Sequence, residues 1–369
     1  MNSDRHAAAA SSEDRMLVLM TTDCIGGVWN YSIRLSEALR DYDVQIALAT
    51  MGPAANEHQR QEVRRLSHVQ LYESTFKLEW MQDPWDDVDR AGQWLLRLEE
   101  GLKPNVIHLN NYAHGALPWS SPVLVVGHSC VCSWFEAVRK SAPTPDWEEY
   151  RRRVRQGLAC ASLVTAPTAA ALDALRRHHG SFRSAGPIHN GFDGTVHAMP
   201  RSEDVVFCVG RLWDPAKNIA MLDRAAQDIR MPVAAAGATE GPDGQRIDLA
   251  NIRHVGHLDQ ITLRQWYHRA AVFVLPSVYE PFGLAALEAA LAGCALVLSD
   301  IASLREVWAQ AAVFVPPDDH EALAHAVNAL LDDASLRRHY ASLARQTAGK
   351  YTLNRMAQNY HRTYTLLRG

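Results

Sequence analysis

Short apolar runs alternate with longer amphipathic stretches along almost the whole chain. In the first half the runs are RMLVLMTT (15–22), VQIALAT (44–50), NVIHLN (105–110), VLVVGH (123–128) and SLVTAP (162–167). Helical patterns such as WNYSIRLSEALRDY (29–42) and DRAGQWLLRLEEGL (89–102) lie between them. The series restarts with DVVFCVG (204–210), PVAAAG (232–237), IRHVG (252–256), AVFVLPS (271–277), ALVLSD (295–300) and AVFVPP (312–317). Strand candidates separated by helical patterns point to parallel sheets flanked by helices, an α/β fold. HNGFDGTVHAMPRSED (189–204), rich in Gly, Pro and polar residues, reads as the linker between two Rossmann-like lobes. A final helix is expected over 351–369, with Met356, Tyr360, Tyr364 and Leu367 along one face.

Length agrees with two lobes, since 369 residues exceed the size at which one core usually keeps growing. The division expected is a tail at 1–14, a first lobe of 15–192 completed by 351–369, and a second lobe of 193–350. A formal charge of -4 argues against a nucleic-acid partner held by phosphate neutralisation. The six cysteines contain no C-x-x-C pair and read as free thiols in a reducing, cytoplasmic compartment. The start of the chain lacks the apolar middle of a secretion signal, and no apolar run approaches the roughly 20 residues that span a bilayer.

In an open α/β sheet, ligands sit outside the carboxyl ends of the strands, so the informative residues are those where apolar runs stop. Gly26 and Gly27 follow the first run and precede a helix, where backbone amides approach a phosphate or simply make a tight turn. Arg211 and Lys217, in VGRLWDPAKN (209–218), flank a turn and read either as a diphosphate clamp or as two solvated cations. In VYEPFGLAALEAALAG (278–293) a turn leads into a helix, and the amides of Phe282, Gly283 and Leu284 form an anion site. Glu280 beside that site would repel phosphate, so it suits hydroxyls, such as those of a sugar; its plainer reading is a helix cap. Glu288 lies in a helix that is apolar nearly all round, so its carboxylate is buried and needs a partner.

Glu280-Pro281-Phe282-Gly283-Leu284 with Glu288 resembles the E-x7-E signature of retaining glycosyltransferases of the GT-B fold, specifically glycosyltransferase family 4. The resemblance extends to Gly26-Gly27, GHS (127–129), HNGFD (189–193), GRLWDPAKN (210–218) and YTLNRMAQNY (351–360), nearly the whole chain. It implies two Rossmann-like lobes around a cleft, with the last helix crossing back to the first lobe. It implies that Arg211 and Lys217 hold the donor diphosphate, opposite the Gly26-Gly27 loop. Glu280 and the amides of Phe282, Gly283 and Leu284 would read the sugar, Glu288 the ribose, and Gly256-His257 the base, while His128 would stand near the transferred sugar. The activity implied is hexosyl transfer from a nucleotide sugar, UDP ahead of GDP, to a saccharide, lipid-linked or small-molecule hydroxyl, with no cofactor and no metal required. A phosphorylase, a nucleotide-sugar epimerase and a non-catalytic nucleotide-sugar binder are the rival readings. A dinucleotide oxidoreductase is disfavoured because neither lobe opens with G-x-G-x-x-G.

Three weaker signals stand apart. Asp87-Val88-Asp89 resembles a metal-holding D-x-D but precedes a helical pattern, where acidic residues favour the helix start. His178-His179 lacks partner ligands at metal spacing and reads as a solvated helix end. The basic stretch 139–157 suits peripheral contact with anionic lipid at the inner membrane face, or a helix laced with ion pairs to Glu148 and Glu149, the simpler reading.

Overall fold

The computed structural model describes residues 15–193, 202–241 and 244–369. The expected tail at 1–14 and the central part of the expected linker, 194–201, lie outside the described residues. The first sheet contains β1 (Met16–Asp23), β2 (Val44–Met51), β3 (Val69–Tyr72), β4 (Val106–Leu109), β5 (Val123–Val126) and β6 (Leu163–Thr165). The second contains β7 (Val205–Val209), β8 (Val233–Ala236), β9 (Arg253–His254), β10 (Ala270–Leu275), β11 (Ala295–Ser299) and β12 (Val313–Val315). Every pairing in both is parallel. The orders are β3-β2-β1-β4-β5-β6 and β12-β11-β10-β7-β8-β9, so the two lobes repeat one winding. In each, the first strand of the lobe lies beside the fourth, and there the connections diverge to opposite sides. The crevices expected to hold ligand are therefore at the carboxyl ends of β1 and β4 in one lobe and of β7 and β10 in the other.

Helices cover both faces of each sheet, and side chains alternate between those faces. Along β1, Val18 and Met20 pack under the helix Gly27–Leu39, whereas Leu19 packs with Ala91 and Leu95 of the helix Trp85–Leu102. Along β10, Phe273 and Leu275 face the helix Leu284–Leu291, and Val272 and Val274 face the opposite core with Leu323 and Val327. Only β3 was absent from the apolar runs. It is an edge strand whose residues Val69, Gln70, Leu71 and Tyr72 are half-buried or exposed, so it carries no continuous apolar signal.

The last helix, Leu353–Arg368, buries Met356, Tyr360 and Tyr364 in the core beneath β1 and the helix Gly27–Leu39. Its entry is fixed by HNGFD. The Phe192 amide donates to the Tyr351 carbonyl at 3.0 Å, and the Leu353 amide to Asp193 Oδ1 at 3.1 Å. Gly191 passes so close to Thr352 that a Cβ there would collide with the Thr352 carbonyl, which explains the glycine of this motif.

Candidate active site

The two turns of the second lobe are built as one unit. After β7, Asp214 caps the short helix Pro215–Lys217 by accepting from the Ala216 amide at 2.9 Å, and also takes Arg211 Nη2 at 2.7 Å. After β10, the Val278 amide donates to the Ala216 carbonyl at 2.9 Å, which ties the second turn to the first. Lys217 Nζ consequently meets Glu280 Oε2 at 2.5 Å, with both side chains largely buried. Glu280 Oε1 accepts from the Gly283 amide at 3.1 Å. Gly283 starts the helix Leu284–Leu291 at φ 90°, a left-handed conformation that a side chain at this position would strain. Of the amides expected to be free here, that of Gly283 is thus occupied by Glu280, which pairs with Lys217 at the same time. Arg211 is the more open cation, with just over half of its side chain exposed, and it lies over the Trp213 ring.

Glu288 is buried as expected, and burial raises its carboxyl above the usual range. The partner it needs is supplied by the protein itself. Arg34, from the helix Gly27–Leu39 of the other lobe, reaches Oε1 at 3.3 Å, and Tyr267 Oη donates to Oε2 at 3.4 Å. Arg34 in turn lies over the Phe192 ring, 4.4 Å from its centroid. Gly256 turns at φ 77° and its carbonyl accepts from the Gly237 amide at 2.8 Å, while the His257 ring is exposed.

The first lobe answers with a neutral network. Beyond β4, Asn110 donates through Nδ2 to the Thr21 carbonyl at 2.7 Å and its Oδ1 faces two histidines, His128 Nε2 at 2.7 Å and His108 Nε2 at 3.2 Å. One carbonyl oxygen can only accept, so both rings carry their proton on Nε2. His108 Nδ1 is left to accept from Tyr364 Oη at 2.6 Å, and His128 Nδ1 is left as a basic nitrogen. Burial pushes the His128 and His108 imidazoles down to about 3, the latter assisted by His128 itself, so both are neutral at ordinary pH. Tyr31 sets its ring edge-on to His128, with centroids 4.4 Å apart. Gly26 and Gly27 are exposed at the start of their helix, with open space beside both, and Asp23 holds their loop by accepting from the Ile25 amide at 2.9 Å. Burial raises the Asp23 carboxyl to about 6 against the pull of that amide and of Arg211 across the cleft.

One pocket joins the lobes, lined by His128, Ser129 and Cys130 on one side and Tyr279, Glu280 and Ser303 on the other. It brings His128 and Glu280 together; Arg211, Lys217, Glu288, Gly256 and His257 stand outside its lining. Tyr279 Oη accepts from the Cys130 amide at 3.1 Å, and Thr168 Oγ1 donates to the Pro281 carbonyl at 2.9 Å.

Residues 25–195 match the model of Glycosyltransferase Family 4, and residues 203–333 that of Glycosyl transferases group 1. The chain belongs to these glycosyltransferases. A glycogen synthase of Mycobacterium tuberculosis is 50% identical over 96 residues, which make up 26% of this chain and 23% of that protein. The match thus spans about a quarter of that relative's length. A sucrose-phosphate synthase from Thermosynechococcus elongatus has the same fold at a TM-score of 0.80, with 20% identity over 96% of this chain and 99% of that one. Anabaena HepE in complex with UDP-glucose follows at 0.72, with 18% identity over 95% and 100%. Both superpositions show the GT-B fold.

Within this glycosyltransferase, DIASLREVW (300–308) has a structural task. Ser303 Oγ donates to the Glu280 carbonyl, and Glu306 accepts from the Ala169 and Ala170 amides at 2.8 and 2.9 Å, capping a helix of the first lobe. Asp87 lies in the first turn of its helix, paired with Arg90 and the Lys77 amide, as the helix-start reading of Asp87-Val88-Asp89 requires. The basic stretch carries ion pairs of Arg151 to Glu148 at 3.0 Å and of Arg152 and Arg153 to Glu149 at 2.6 and 2.7 Å. Among the described residues no helix is long and apolar enough to cross a membrane. His179 overturns its reading as a solvated helix end. It is buried at 3% exposure, with Nε2 3.1 Å from Cys130 Sγ. Asn110, His108, Asp23 and Arg34 escaped the sequence reading. Asn110 and Asp23 were within reach of the rule that ligands gather at strand ends, and His108 is marked as a polar residue inside the apolar run NVIHLN, but nothing local marks Arg34.

Proposed function

We propose that the chain moves a hexosyl unit from a nucleotide-diphosphate sugar, UDP ahead of GDP, to an acceptor hydroxyl, with retention at the anomeric carbon. The observation that carries this reading is the Lys217–Glu280 pair, at 2.5 Å on the joined turns of one lobe, with Glu280 and His128 lining one pocket between the lobes. Each partner is the other's counterion until a donor arrives. Lys217 then turns to the diphosphate with Arg211 and the amides at Gly26 and Gly27, and Glu280 to the sugar hydroxyls with Phe282 and Leu284 at the turn. Glu288 exchanges Arg34 for the ribose, and Gly256 and His257 border the base. The UDP-glucose complex of a protein with this fold favours UDP as the donor base.

The acceptor oxygen bonds to the anomeric carbon on the face from which the bond to the β-phosphate oxygen breaks, and the acceptor proton passes to that leaving oxygen. The products are the glycoside and a nucleoside diphosphate. Charge develops on the phosphate, so fixed cations and amides aimed there supply the main stabilisation. Glu280 and His128 orient the sugar. Glu280→Ala is expected to abolish transfer with circular dichroism unchanged; near-normal turnover would sink the assignment. Product analysis separates the rivals, since a phosphorylase releases a sugar phosphate only with phosphate present and an epimerase leaves the nucleotide bond whole.

A further inference from the structure

Among the described residues one cluster, which reaches the pocket lining through Cys130, has the composition of a metal site. Cys130 and Cys132 open the short helix Val131–Trp134, and His179 ends the helix Ala169–His179. Their ligand atoms all lie within 4.8 Å of one another, and the three residues are at 2%, 1% and 3% exposure. His179 Nε2 is directed at Cys130 Sγ at 3.1 Å, and its Nδ1 is buried without a hydrogen bond, so the ring supports no backbone group.

We propose that Cys130, Cys132 and His179 bind a zinc-class ion, a divalent borderline-soft metal, in the wall of the cleft beside His128. Bond lengths of about 2.3 Å to sulfur and 2.0–2.1 Å to nitrogen in a tetrahedron put the sulfurs about 3.8 Å apart and each sulfur about 3.5 Å from the nitrogen. The observed Cys130 Sγ–His179 Nε2 spacing of 3.1 Å lies close to that sulfur–nitrogen value, and the remaining spacings are within 4.8 Å. Two thiolates neutralise a divalent ion, so the filled site adds no net charge to a buried place, and the thiol protons leave to solvent on binding. Three protein ligands leave one position open, and Cys130 is itself part of the pocket lining together with Ser129 and Ser133. The Cys130 amide also donates to Tyr279 Oη, so the site is one residue away from the turn that carries Glu280.

The test uses the full chain, reduced and stripped of metal with a chelator, and titrated with Co²⁺ and then Zn²⁺. One equivalent of cobalt is expected to give a thiolate-to-metal charge-transfer band, which one equivalent of zinc removes. Cys132→Ser and His179→Gln are expected to weaken binding by more than the roughly 10–100-fold typical of changes outside the coordination shell. Cys208→Ser, a buried thiol in the core of the other lobe, is expected to keep the band. Melting curves identify any variant that fails to fold, and the wild-type titration stands without them. Absence of the band from the reduced wild-type chain overturns the proposal. So does its persistence in a folded Cys132→Ser chain, or a Cys130–Cys132 disulfide found by mass spectrometry in chain purified under reductant.

Discussion

The two lobes share one strand order but place opposite chemistry at their switch points. The second lobe supplies charge in compensated form: Arg211 on Asp214, Lys217 on Glu280. The first supplies hydrogen-bonded groups that are neutral except for Asp23 at the end of β1, with Asn110 between two uncharged imidazoles and Tyr364 behind them. Winding alone therefore does not decide what a crevice binds. A charged turn suits the end of a donor where charge appears, and a neutral, rigid network suits the end where orientation matters and a stray charge would compete.

That contrast can be broken from the charged side first. Lys217→Met is expected to lower kcat by about 10²–10³-fold, the cost of removing one fixed group from developing negative charge, as measured by steady-state kinetics. On the neutral side, Asn110→Ala frees both imidazoles to turn and is expected to cost roughly 10–100-fold in kcat with the donor KM unchanged. Asn110→Asp keeps the double acceptor, so it is expected to retain more activity than Ala while shifting the acid limb of the pH profile upward, because a carboxylate favours the imidazolium.

The same histidines make stability depend on pH. Their folded-state values, near 3, lie below the ordinary 6.5, so between those limits the unfolded chain binds more protons. Stability from this source is complete above 6.5 and is lost as pH falls towards 3. Melting temperature followed from pH 7 to pH 4 is expected to fall less steeply in His108→Phe than in the wild type. The smallest effect concerns the contact between lobes. Glu306→Ala removes a helix cap and is expected to cost roughly 1 kcal/mol in denaturant titration, with turnover retained.

Much of this was legible in the chain itself. Buried parallel strands are continuous apolar runs, which is why the central strands stand out and the half-exposed edge strand β3 does not. The charged residues stand out for other reasons: Glu288 is an expensive carboxylate in an apolar helix, and Arg211, Lys217 and Glu280 stand in turns where apolar runs stop. Asn110 does not, because a polar residue after a strand looks like ordinary turn chemistry until two histidines are seen to share its oxygen. Arg34 reads as one more cation on an amphipathic helix, and the distance of 254 positions to Glu288 hides the pairing. His179 was misread for the same cause, since Cys130 is 49 positions away and adjacency exists only in the fold.

The return of the helix Leu353–Arg368 to the first lobe sets an order of assembly. Tyr364 Oη holds His108, yet the ribosome releases it only after the whole second lobe has been made. The first lobe is begun first and finished last. A chain halted before residue 353 has both sheets but lacks the hydroxyl that His108 Nδ1 accepts from, so until translation finishes His108 is held from the Asn110 side alone.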